Sequence, residues 1–160
     1  SHLAAELFKS MTGTNIVRVP YKGGGQAVTA AIAGEVQMVF NSAGSMMQHV
    51  KSGKMKALGV ASLQPSPSAP GIPTIASQGL AGFEATLIQG ILAPAKTPPA
   101  IVRRLSQDII AALSSEDLRA KYLAIGFEPS PSTPEEFSAL IKSEMARWGK
   151  VIKDAGIRAQ

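Results

Sequence analysis

The chain has 160 residues, 45% of them hydrophobic and 17% charged, with no cysteine and a formal net charge of +5. That length admits one domain or two small lobes, and the composition is that of a folding chain rather than a disordered one. The missing cysteines exclude a disulfide scaffold, a zinc–thiolate site and a thiol nucleophile, and no apolar run is long enough for a membrane-spanning helix.

Ser1-His2-Leu3 opens without an initiator Met or a signal peptide, so a processed or truncated piece is expected. Leu3, Ala4, Leu7, Phe8 and Met11 recur at helical spacing, with Ser1 placed as N-cap and Gly13 as C-cap glycine. Ile16 to Val19 is a β-branched run that predicts a strand ending at Pro20. Gly23-Gly24-Gly25 breaks the chain before a helix over Ala27 to Ala33, closed by Gly34. Val36 to Phe40 predicts a second strand, Met46 to Val50 a short helix stopped by Gly53, and Met55 to Ala61 a third strand. Alternating helices and strands with short connections point to a parallel sheet flanked by helices, an α/β lobe.

Four prolines between Gln64 and Pro73 make an extended surface loop, followed by a helical turn at Thr74 to Gln78. Phe83 to Ala93 predicts an extended stretch, with Gly90 as a bend that carries the chain from one lobe to another. Thr97-Pro98 marks a helix start, and Val102, Leu105, Ile109, Ala112 and Leu113 line one face. Ser114 or Ser115 caps a second helix with Glu116 and Asp117 in its first turn. Thr133 and Glu136 have capping-box spacing, opening a helix to about Ala155 with a stripe of Phe137, Leu140, Ile141, Trp148 and Ile152.

Charge is uneven. Residues 1–80 hold six basic and two acidic residues, +4, whereas residues 81–160 hold ten and nine, +1. A positive first half favours an anionic partner. No basic stripe or known module indicates nucleic acid. No catalytic residue, metal site or cofactor is predicted. His2 and His49 are the only histidines, they lie in no ligand cluster, and Ser42-Ala43-Gly44-Ser45 is not a nucleophile elbow. Tyr21-Lys22-Gly23-Gly24-Gly25 lacks the P-loop pattern, yet it sits where glycines expose backbone N–H groups at a helix start. Asn41-Ser42 and Ser1-His2 stand in equivalent places. Three helix starts at one sheet edge would hold a small carboxylate through N–H, hydroxyl and amide groups.

Several strings occur together in order. They are Ser1 to Lys9, Val19-Pro20-Tyr21-Lys22-Gly23, Val36 to Asn41, Lys51 to Leu58, Gly82-Phe83-Glu84, Ala93 to Pro98, Pro134 to Phe137, and Trp148 with Asp154 to Ile157. The set resembles the substrate-binding proteins of tripartite tricarboxylate transporters, the Bug receptors, in their C-terminal part. The resemblance implies a periplasmic, non-enzymatic two-lobe receptor that binds a di- or tricarboxylate or related acid and feeds a membrane permease. Residues 1–88 would form lobe two. Residues 89–160 would form a helix-rich return segment of lobe one, which is incomplete here. The ligand positions it implies are Ser1, His2, Tyr21, Lys22, Gly23, Gly24, Asn41 and Ser42. The family carries Asp or Asn at the position of Asn41, and Asn41 lacks the charge that would pair a ligand amino group. Ile88-Gln89 stands where family members usually carry aromatic residues. The uncovered stripe on the last helix makes a homo-oligomer an expectation. The reading from another class is an interaction or structural module with no small-molecule site.

Overall fold

The computed structural model describes residues 1–157. Among these residues six α-helices form where the apolar periodicity and the caps require them. They are α1 (His2–Thr12), α2 (Gly24–Ile32), α3 (Ala43–Lys51), α4 (Pro99–Ser114), α5 (Glu116–Ala124) and α6 (Pro134–Asp154). Gly13 ends α1 in the left-handed region at φ 66°, and its N–H donates to the Lys9 carbonyl at 2.9 Å. At Thr133 the hydroxyl accepts from the Glu136 N–H at 3.2 Å, and the Glu136 carboxylate accepts from the Thr133 N–H at 2.8 Å. This capping box starts α6, whose 21 residues span about 30 Å. Ser115 caps α5 by accepting from the Leu118 N–H.

Three starts differ from the sequence expectation. The α2 helix begins at Gly24 rather than Ala27, so the glycines form its first turn, α3 begins at Ala43 rather than Met46, and α4 begins at Pro99 with Pro98 as N-cap. Proline at the first helical position accounts for the last shift: its fixed φ suits the helix, and the N–H it lacks has no acceptor there.

The parallel sheet is the larger correction. Among the described residues no strand forms, and the pairing reduces to one parallel bridge between Val60 and Thr74. The runs 16–20, 36–40 and 55–59 lie outside regular structure. Their β-branched composition favours strand conformation, but a ladder also needs a second backbone about 4.8 Å away and in register. Only the stretch around Val60 has this. The Val60 N–H donates to Pro73 at 2.9 Å, Ile75 donates back to Val60 at 2.9 Å, and Ala85 donates to Ala61 at 2.8 Å. By contrast Val17 is 80% exposed, with no neighbouring layer to pack on.

The centre of the molecule is aromatic. Phe8 of α1, Phe40 and Phe83 meet with ring centroids 5.8, 6.0 and 6.4 Å apart. Phe83 is completely buried, and Ala4, Val28, Ala30, Ala69 and Thr74 are the other buried residues among those described. Around this centre α1 packs on α6, α2 on α3, and α4 on α5. The proline-rich loop is pinned from the far half of the chain: Ser66 and Ser68 both donate to the Glu128 carboxylate.

Candidate functional site

The starts of α2 and α3 are built alike. Each follows a residue in extended conformation, Gly23 (φ −170°, ψ 162°) and Ser42 (φ −66°, ψ 147°). The first amides of a helix have no acceptor within it. In α1, α2 and α3 no side chain supplies a cap, and none of the three has an acid in its first turn. Their positive dipole ends are therefore uncompensated by the chain itself.

Asn41 ties two of these starts together. Its Nδ2 donates to the Gly24 carbonyl at 2.9 Å, and its Oδ1 accepts from the Ser42 N–H at 2.9 Å. Gly24 allows the approach: a Cβ there would lie 2.6 Å from Asn41 Nδ2. The Lys22 N–H donates to the Gln26 side-chain oxygen at 3.3 Å, which holds the loop over the first turn of α2. On α3, Ser45 Oγ donates to the Ser42 carbonyl at 2.8 Å and lies 3.1 Å from Ser42 Oγ. Gln26 and Ser45 were not singled out from the sequence. Gln26 adjoins the glycine string, so its position was a usable signal.

Lys22, Gly23 and Gly24 are exposed, and Tyr21, Asn41 and Ser42 are half-buried. The hydrogen bonds join Gly24, Asn41 and Ser42 into one cluster. Ser1 and His2 are not joined to it by a hydrogen bond among the described residues. His2 instead lies 3.7 Å from Glu6 on its own helix. Burial, and next the charge of Arg18, push the His2 imidazole below its ordinary pKa, so it is disposed to the neutral form.

The far half of the chain also reaches α3. A methyl group on Gly44 would strike the Ile125 carbonyl oxygen, and one on Gly126 would strike the Gly44 backbone. Gly126 has φ +81°, a left-handed conformation that glycine accepts without strain. The end of α5 thus lies backbone to backbone against the start of α3. An apolar groove of about 430 Å³ runs elsewhere, along α6, lined by Ile88, Ile141, Met145, Trp148 and Ile152 among others. Among the described residues no group of three or more His, Asp or Glu is placed to hold a metal ion.

The family profile described as "Tripartite tricarboxylate transporter family receptor" matches residues 1–157. The chain belongs to this receptor family. Membership places it among receptors rather than enzymes. Within the receptor family it is 36% identical over 159 residues to the "UPF0065 protein in tcbD-tcbE intergenic region" of Pseudomonas sp. (strain P51), covering 99% of this chain and 47% of that protein. The structure of R. palustris Rpa4515 with adipate superposes with a TM-score of 0.88 at 34% identity, covering 97% of this chain and 52% of that one. The structure of periplasmic binding protein BugD superposes with a TM-score of 0.85 at 30% identity, covering 100% and 54%. The chain spans about half the length of each of these three proteins.

Proposed function

We propose that this chain is the C-terminal part of an extracytoplasmic solute receptor that holds a small carboxylate at the starts of α2 and α3. The observation that carries the reading is the pair of uncapped helix starts joined through Asn41, in a chain similar over 97% of its length to Rpa4515 with adipate. A carboxylate there would accept from the free amides of the first turns and from the Ser42 hydroxyl. Tyr21, Lys22 and Gly23 would close one side, with the Lys22 ammonium adding charge. Ser1 and His2 would approach from α1 as the third start, where a neutral His2 Nδ1–H or Nε2–H donates without adding charge.

In this reading the parent protein works in the periplasm, as BugD does, and passes its ligand to the permease subunits of a tripartite transporter. Residues 1–88 form the lobe that holds these helix starts, and residues 89–160 return to the other lobe. The family's name and the adipate neighbour together favour di- and tricarboxylates as the ligand class.

Titration calorimetry of the protein against adipate, shorter dicarboxylates and citrate tests the reading. Saturable heat with at least one of them is expected, weakened when Ser42 is changed to Ala. Flat traces across the panel, with the protein folded by circular dichroism, would reject it.

A further inference from the structure

The stretch after Phe83 is held at its beginning and free beyond. Phe83 is completely buried, and the Ala85 N–H donates to Ala61 at 2.8 Å. Over residues 86–93 no backbone hydrogen bond is formed among the described residues, and Leu87 is 68% exposed. What lies along this stretch is α6, running in the opposite direction. The Phe137 ring covers Gly90 so closely that a Cβ on Gly90 would fall within it. Ile88 shares one groove wall with Ile141, Glu144, Met145 and Trp148. At the other end, Arg147 Nη1 donates to the Glu84 carbonyl at 3.0 Å and lies 3.6 Å from the Glu84 carboxylate.

Arg147 is itself held from within α6. Its Nη2 donates to Glu144 at 2.6 Å, the same carboxylate accepts from Trp148 Nε1 at 2.7 Å, and the guanidinium sits 4.7 Å from the Trp148 ring centroid. Its Nε is buried with no acceptor among the described residues. The Arg147 and Glu84 side chains are 33% and 35% exposed, so water competes for this contact and it is easier to release than a fully buried one.

We propose that α6 is a splint on the segment 84–90, with the Phe137–Gly90 contact as its fixed end and the Arg147–Glu84 contact as a releasable clasp. Arg147 is then a positioning residue for the segment by which the chain passes between the two lobes. This role rests on the two-lobe receptor reading, but its test needs no ligand, so failure of one is distinguishable from failure of the other.

The chain has no cysteine, so a single Leu87→Cys change gives one nitroxide-labelled site. The label's mobility is read by electron paramagnetic resonance in the parent, in Arg147→Met and in Arg147→Lys. A control label at Gln107→Cys sits on the exposed face of α4. The expectation is a rise of about twofold in the mobile fraction at Leu87 in R147M, a smaller rise in R147K, and no change at Gln107. Glu84→Gln, which keeps the carbonyl bond and removes the ion pair, is expected to mobilise Leu87 to a lesser degree and serves if R147M does not fold. A Leu87 spectrum unmoved by the folded variants would overturn the proposal. An equal change at Gln107 would overturn it too, because the loosening would then be global.

Discussion

Asn41 holds the starts of α2 and α3 in one place through a single side-chain amide, donating to Gly24 and accepting from Ser42. Aspartate at this position keeps the acceptor and loses the donor. It also places a negative charge between two helix N-termini, where the dipoles favour it but a second anion does not. Asn41→Asp is therefore expected to leave thermal stability within about 1 kcal/mol while weakening binding of the proposed dicarboxylate about tenfold or more, because like charges this close repel. Calorimetry and a thermal melt on the same sample check both halves. Glu144 gives a pH dependence whose sign follows from its partners. The bond from Arg147, with a further one from Trp148, holds its carboxyl below the ordinary 4.5. A carboxylate with a lowered folded pKa contributes stability that is complete above the unfolded value and is lost as pH falls through the folded one. Glu144→Gln is expected to flatten the fall in stability below about pH 4.5, read from urea midpoints across pH.

At the scale of elements, the start of α3 and the end of α5 approach backbone to backbone. Gly126→Ala would put a left-handed alanine at φ +81° and drive its methyl into the Gly44 backbone. The conformational strain is about 1–2 kcal/mol, the collision adds to it, and a lowered melting temperature with altered α5 exchange is expected. The helices were legible because their signals are local: the Thr133–Glu136 box, the Ser115 cap and the Gly13 stop each lie within one turn of what they control. The sheet was not, because strand pairing depends on distant backbone, and runs such as 16–20 do not carry their partner with them. The same limit applies to the site. The places of Gly24, Asn41 and Ser42 before helices were legible, but the bond joining residues 24 and 41 was not. Gly126, Glu128 and Arg147 escaped notice because what they touch lies some sixty to eighty residues away in the chain.

For the whole molecule, the surface is large for its mass. The accessible area is 11184 Å², against roughly 7,600 Å² for a compact monomer of this size. Among the described residues few are buried, and Phe83 is the one large side chain fully removed from water. Truncating it to Ala is expected to cost about 3–5 kcal/mol, a large part of an ordinary stability margin. Urea denaturation of Phe83→Ala followed by circular dichroism is expected to show a partly or wholly unfolded chain without denaturant. A loss under about 1 kcal/mol would mean that the aromatic trio is not the centre on which the rest depends.

The trio also has a consequence in time. Phe8, Phe40 and Phe83 are contributed by three stretches far apart in the chain, and each ring touches the other two. A ribosome emits them in that order. After the second has emerged the growing chain has an aromatic pair with nothing to seal it, and the third arrives only after the proline-rich loop has been made. Until then the contacts that reward ordering are missing while the entropy of holding the first two together must still be met. Until Phe83 is available the trio cannot close, so ordering of this centre waits on the last of its three rings.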